Sequence, residues 1–194
     1  MIEEGTEIAL LRRIVATMAR EAEAAGVRIV TGDTKVVGRG ACDRVFVTTA
    51  GVGVVPPGRE MGAARVRPGD VALVNGVLGD HGATILAARG DLALSTALES
   101  DCAALGHLME AVLAVAPGSR AARDLTRGGL ASALNEIAGA AGCGIEISEE
   151  ALPLRAEVSG MCEILGLDPL YLANEGRLVV FVPADEAEAA LAAM

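Results

Sequence analysis

Tryptophan is absent from this 194-residue chain, and with two Phe and one Tyr the aromatic residues amount to only 2%. A core must therefore be built from small aliphatic side chains, which the 52% hydrophobic content supplies. The 37 Ala and 24 Gly leave 61 positions with little or no side chain, so close backbone packing and many tight turns are expected. No run approaches the ~18 to 20 uninterrupted apolar residues of a membrane-spanning helix, which excludes one. Lysine is almost missing too: 15 of the 16 basic residues are Arg, and Lys35 stands alone. Against 26 acidic residues the net charge is −10, and no basic run is longer than the Arg12-Arg13 pair. General binding to nucleic acid or to an anionic membrane is disfavoured. The four cysteines, Cys42, Cys102, Cys143 and Cys162, form no CxxC or Cys/His cluster. They are expected to be reduced, mostly packing thiols of a cytoplasmic protein.

Leu11, Ile14, Val15, Met18 and Ala22 recur at helical spacing, with Thr6 placed to cap the start and Gly26 to stop the helix. VRIV (27–30) and VFVTTAGVGVV (45–55) read as strands on either side of a polar, Gly-rich loop, and Pro56-Pro57-Gly58 reads as a linker. One helix and two strands are too few to close a core, so residues 1–55 are expected to be the end of a domain whose beginning is absent. Beyond the linker, helices and strands alternate. Strands are expected at 70–76, 143–147 and 176–182. Helices are expected at 79–90 with Asp80 near the cap and Gly90 at the stop, at 100–118 ending before Pro117, from about Leu130 to Ala141, from Pro153 to Leu165, and from Pro183 onward. The last pattern meets no stop signal, so a truncated C-terminus is expected as well.

Four polar motifs are punctuated by glycine: Gly32-Asp33-Thr34-Lys35, Gly79-Asp80-His81-Gly82, Asp124-Leu125-Thr126-Arg127-Gly128-Gly129, and Asn174-Glu175-Gly176. Each follows an apolar strand or precedes a helix, where backbone N–H groups are free and glycine lets a ligand come close. Taken singly, Asp80 and Thr126 could be ordinary helix caps; four such motifs together favour a site. GxxxxGK[ST] and GxGxxG do not occur, so the two commonest nucleotide folds are not supported. Lys35 is a candidate for phosphate contact or proton transfer, the alternative being a solvated turn residue. His81 could touch phosphate or shape its loop, and Arg127 could pair with phosphate or with a neighbouring acid. His107, among Leu105, Leu108 and Met109, reads as a structural mid-helix residue.

In TGDTKVVGRGACDR, RPGDVALVNGVLGDHGATIL, RDLTRGGLASALNEIA and EILGLDPLYLANEGRLV the chain resembles, over nearly its full length, the ATP-binding proteins related to aminoimidazole ribonucleotide synthetase, and among them the HypE-like hydrogenase maturation proteins. The resemblance implies an α/β (α+β) fold, with 1–55 as the C-terminal part of an N-terminal ATP-binding domain and 59–194 as a PurM-like C-terminal α/β sandwich. It also implies ATP-dependent dehydration of a C-terminal cysteine S-carboxamide to thiocyanate, the source of the cyanide ligand of NiFe hydrogenase. ATP and Mg²⁺ are the implied cofactors. A HypF-type carbamoyl transferase, a HypC–HypD iron scaffold complex and a second copy of the intact protein are the implied partners. Lys35 and Glu175 match the catalytic positions. Gly32, Asp33, Thr34, His81, Thr126, Arg127, Gly128, Gly129 and Asn174 are expected at the nucleotide, with Asp33, a hard oxygen ligand, at the metal. The first half of the ATP domain and the cysteine-bearing tail do not occur in the sequence, so this chain alone is expected to be inactive. A non-catalytic docking or folding fragment, or a sibling enzyme of the thiamine-monophosphate kinase or selenophosphate synthetase type, are the competing readings.

Overall fold

The computed structural model describes residues 1–89 and 97–194, and its contacts divide into two units, Met1–Arg59 and Glu60–Met194.

In the first unit, α1 (Ile8–Ala24) carries Leu11, Ile14, Met18 and Ala22 as a half-buried stripe. Gly26, at φ 66°, stops it. Thr6 does not cap the helix: its hydroxyl donates to the carbonyl of Arg44, 3.3 Å away, and Glu7 occupies the cap position without a side-chain bond. The short strands β1 (Ile2–Glu3) and β2 (Val36–Val37) pair in parallel, and Val45 bridges to Ile2. The expected strand at 27–30 is not formed, and of the one expected at 45–55 only the Val45 bridge exists. Their apolar residues satisfy a strand pattern, but a ladder also needs a partner backbone, and Val30, Val52, Val54 and Val55 stand exposed. No residue of this unit is buried.

Its folding therefore relies on local hydrogen bonds, and Glu3 makes two of them. The carboxylate accepts the N–H groups of Gly40 and Arg44, the second at 3.0 Å, and these bonds hold its pKa below the ordinary 4.5. A carboxylate with a lowered folded pKa stabilises the fold fully above its unfolded value and loses that contribution as pH falls through the folded one. Hydrogen-exchange protection at Gly40 and Arg44 should accordingly fall as pH drops below the ordinary 4.5 and through the lowered folded value. Glu3→Ala should show the same loss at neutral pH; unchanged protection in both experiments would refute the tether.

The second unit is organised by its last strand. β3 (Asp70–Val74), β4 (Ala121–Asp124) and β5 (Leu178–Pro183) form an antiparallel sheet in the order β3-β5-β4. Successive side chains of β5 point to opposite faces, and both faces are covered. Val179 and Phe181 pack with Leu130, Ala133, Leu134 and Ile137 of α4 (Gly129–Ala141). Leu178, Val180 and Val182 pack with Val112 of α3 (Gly106–Val115) and Ala190 of α6 (Ala187–Ala193). A third cluster joins Ala83 of α2 (Asp80–Ala88) to Val158, Met161 and Cys162 of α5 (Ala156–Leu165) and to Leu172. Among the described residues no helix is long and apolar enough to cross a membrane.

Several expectations are corrected here. Residues 143–147 form no strand, whereas β4 falls in a segment that reads as a loop. α3 begins at Gly106 rather than near 100, which leaves His107 exposed in its first turn instead of mid-helix. No side chain caps α2, which starts directly after Gly79, a residue at φ 85°. Gly90, its expected stop, lies outside the described residues. The expectation of free, mostly packing thiols holds: Cys42, Cys143 and Cys162 are partly or fully buried, with burial pushing the Cys162 thiol up, and Cys102 is exposed.

Two glycines of α4 have opposite meanings. Gly129 sits at φ 59°, and a Cβ there would collide with the carbonyl of Leu170 and lie 2.6 Å from that of Leu172. Gly139 has open space around it. Gly129→Ala should destabilise the protein by about 3 kcal/mol, combining backbone strain with overpacking. Gly139→Ala should stabilise it by about 0.5–1 kcal/mol through helix propensity. Chemical denaturation checks both signs.

Candidate functional site

The register of the sheet decides where three of the four glycine motifs go. Val74 at the end of β3 lies opposite Val179, and Asp124 at the end of β4 lies opposite Leu178. The loops that leave β3 and β4 and the loop that enters β5 therefore emerge at one end of the sheet. On these loops, or on the first residues of the helices they lead into, lie the motifs 79–82, 125–129 and 174–177.

Asn174 ties them together. Its side-chain oxygen accepts the N–H of Gly79 at 2.7 Å, and its amide nitrogen donates to the carbonyls of Leu125 and Leu172 at 3.2 and 3.1 Å. The N–H of Gly82 adds a bond to the carbonyl of Ala173. With 1% of its surface exposed and both amide hydrogens engaged, Asn174 positions these loops. Gly128 and Gly129 are likewise explained by packing, since a Cβ on either would strike Ser132 or the 170–172 backbone. Thr126 is neither a cap nor free: its hydroxyl donates to Asp124 at 2.7 Å, while Gly128 holds the cap position of α4. Arg127 is exposed and pairs with none of the described residues.

Glu175 combines a fixed backbone with an open carboxylate. Its N–H donates to Asp101 at 2.9 Å, and its side chain is 40% exposed. One carboxylate oxygen lies 3.9 Å from Nε2 of His81, whose Nδ1 is 2.8 Å from the hydroxyl of Ser100. His81 thus faces an acid and a hydroxyl of its own unit. The acid of the same motif, Asp80, is no cap: its carboxylate pairs with Arg155 at 3.0 Å. Asp101 and Arg177, 3.6 Å apart, belong to the same cluster and are missing from the sequence reading. Only the run Ser100-Asp101-Cys102 ahead of an apolar helix hints at Asp101, and nothing local signals its partners more than 70 residues away.

The remaining motif lies in the first unit. Gly32, Asp33, Thr34 and Lys35 are all exposed, with the Thr34 N–H donating to Asp33 at 2.8 Å and the Lys35 carbonyl accepting from Ile2 at 2.9 Å. Among the described residues no three His, Cys, Asp or Glu are placed to hold a metal ion.

Residues 67–194 match the C-terminal domain of AIR synthase-related proteins. The chain belongs to the AIR synthase-related family. Within this family it is 84% identical over all 194 residues to a Rhodobacter capsulatus protein named carbamoyl dehydratase HypE, of which it covers 57%. It thus spans a little over half the length of the curated relatives it matches. Among solved structures, a HypE–HypF complex superposes with a TM-score of 0.94 at 45% identity, covering 99% of this chain and 63% of that one. HypE in complex with ATP gives 0.86 at 44% identity, covering 99% and 57%. Thiamine monophosphate kinase from Aquifex aeolicus, at 21% identity and a TM-score of 0.62, shares the AIR synthase-related fold alone.

The roles of Asn174 and Glu175 separate by stability. Asn174→Ala would strand the Gly79 N–H and the Leu172 carbonyl in the interior and should cost about 3 kcal/mol or more. Glu175→Gln, at an open position, should stay within about 0.5 kcal/mol of the parent. Urea unfolding of the two variants tests this difference.

Proposed function

We propose that the chain belongs to an ATP-dependent carbamoyl dehydratase that converts a cysteine S-carboxamide into a thiocyanate, the cyanide source for a NiFe hydrogenase. The observation that carries the reading is Glu175, an open carboxylate on a rigidly held backbone where three glycine loops meet. The 84% identity to a protein named carbamoyl dehydratase supports it.

The overall step is R–S–C(=O)–NH₂ + ATP → R–S–C≡N + ADP + Pi. The carboxamide oxygen takes the γ-phosphoryl group, nitrogen loses two protons, and the C–O bond breaks with phosphate leaving. A positioned base must therefore receive protons from nitrogen. Glu175 is that base, and His81 beside it can accept a proton in turn. Lys35 supplies a compact ammonium or, deprotonated, a second base, which an Arg cannot do. The backbone of Gly32 and Thr34 is suited to phosphate contact, and so, in its own unit, is the exposed guanidinium of Arg127 ahead of α4. Asp33, an exposed carboxylate, is the residue that would hold Mg²⁺, an ion that takes one or two carboxylates together with phosphate oxygens. Bound there, the ion would neutralise phosphate charge.

The likeness to an ATP-bound HypE supports the nucleotide, and the likeness to a HypE–HypF complex supports a HypF-type carbamoyl transferase as a partner. A HypC–HypD iron scaffold and a second copy of the intact protein complete the proposed partners. The exposed, unladdered segment 46–55 suits strand pairing with another chain. The 194 residues by themselves are expected to release no carbamoyl-dependent ADP.

In a protein of the relatives' full length, Glu175→Ala and Lys35→Arg should each slow thiocyanate formation by roughly 10²- to 10⁴-fold with ATP affinity nearly unchanged. Parent-like turnover in either variant would remove that residue from the reaction.

A further inference from the structure

Two N–H protons must leave one carboxamide nitrogen, and a single carboxylate cannot take both. Glu175 accepts the first proton and is then an acid; it accepts the second only after passing the first on. The group beside it is His81, whose Nε2 lies 3.9 Å from a Glu175 carboxylate oxygen. That distance exceeds a hydrogen bond, but the Glu175 side chain is 40% exposed, and rotation of an open side chain closes such a gap when substrate is bound.

Whether His81 can receive the proton depends on which ring nitrogen already carries one. A neutral imidazole has one N–H and one lone pair, and the hydrogen bond at one nitrogen sets the state of the other. The Nδ1 of His81 lies 2.8 Å from Oγ of Ser100. The single proton of that hydroxyl is directed at Sγ of Cys102, 3.1 Å away, and the Cys102 N–H donates to Oγ at 3.4 Å. One lone pair of Oγ is left for the ring, so Nδ1 donates and Oγ accepts. Nε2 therefore turns a lone pair toward Glu175. The opposite tautomer would leave the ring no vacancy on that side. Discharge of the ring is provided for as well: Ser100 is exposed and lines a solvent-open cavity with the exposed Glu99 and Glu157, whereas His81 borders an apolar groove with Ile85, Leu86 and Leu167.

We propose that Ser100 is a positioning residue of the dehydration: it accepts the Nδ1–H of His81 and keeps Nε2 unprotonated, so that His81 stores the first carboxamide proton while Glu175 takes the second. The inference rests on the dehydratase reading and assigns a second proton acceptor to it. The first N–H breaks, its proton passes through Glu175 to Nε2, and its electron pair stays on nitrogen. The second N–H breaks onto Glu175, its pair forms the third carbon–nitrogen bond, and the C–O pair leaves with phosphate.

Nitrogen-15 spectra of the 194-residue chain test the tautomer without any turnover. At about pH 9, where imidazoles are ordinarily neutral, Nδ1 of His81 should show the shift of a protonated ring nitrogen and Nε2 that of an unprotonated one. Ser100→Ala should move the ring toward the Nε2–H form, and Ser100→Thr, which keeps the hydroxyl, should match the parent. An Nε2–H ring in the parent, or an unchanged ring in Ser100→Ala, would overturn the proposal. In a protein of the relatives' full length, Ser100→Ala should lower kcat for thiocyanate formation roughly 10- to 100-fold with KM for ATP unchanged, and Ser100→Thr should restore most of it. In a His81→Ala background the same substitution should cost nothing further, because its effect passes through the ring. A parent-like kcat in Ser100→Ala beside a slow Glu175→Ala would overturn the role of Ser100 alone; a parent-like Glu175→Ala would overturn the assignment of the base and this inference with it.

Discussion

The hydrogen-bonding capacity of one primary amide holds the second unit's loops in place. Asn174 accepts from the loop that enters α2 and donates to the loop that enters α4 and to its own approach to β5. No other side chain of similar size both accepts once and donates twice from one end: Asp cannot donate when ionised, and Leu offers nothing. Because these groups are buried, each bond is worth keeping mainly for what its loss would strand. The tight approach continues at Gly176, where a Cβ would collide with the backbone of Asp101. Glycine is needed there to let the 100–103 segment close over the loop, and that segment in turn fixes the backbone of Glu175. The openness of Glu175 is thus a product of the burial of its neighbour.

Much of the architecture could be read from the residues. Helices α1, α4 and α5 announce themselves by apolar spacing, and β3 and β5 by unbroken aliphatic runs. What failed follows one physical rule. Apolar, β-prone residues at 27–30, 46–55 and 143–147 look like strands, but a strand exists only with a hydrogen-bonded neighbour, which local sequence does not specify. The converse error is β4, whose Ala-Ala-Arg-Asp has no strand character and is held at the sheet edge by its pairing with Leu178–Phe181. Three of the four glycine motifs gather at one end of the sheet, yet the contacts inside them are less accessible to sequence. Asp80 looks like a cap and is a salt-bridge acid; Thr126 looks like a cap and binds Asp124; at Gly128 and Gly129 close packing alone already requires glycine. In each case the deciding partner is set by three-dimensional packing that spacing does not encode.

The two units are stabilised by different means. The second has three apolar clusters and a sheet strand buried on both faces. The first has no buried residue, and its local hydrogen bonds include those from Gly40 and Arg44 to Glu3. Opening free energies follow buried apolar contacts, so the first unit belongs at the labile end of the molecule. Its glycine motif, with Lys35, is carried by that labile part, whereas Glu175 is carried by the packed one.

The placement of β5 between β3 and β4 also has a consequence for biosynthesis. During translation β3 and β4 leave the ribosome with no ladder partner, because the strand that joins them is made about 110 residues after β3. At ordinary elongation rates of about 5–20 residues per second that interval lasts roughly 5–20 s, far longer than local helix formation takes. Helices can form early, but the sheet closes only after β5 has been made, and until then its apolar edges are open to wrong partners. Nascent chains of this protein should therefore depend on chaperone cover until residue 183 has cleared the exit tunnel.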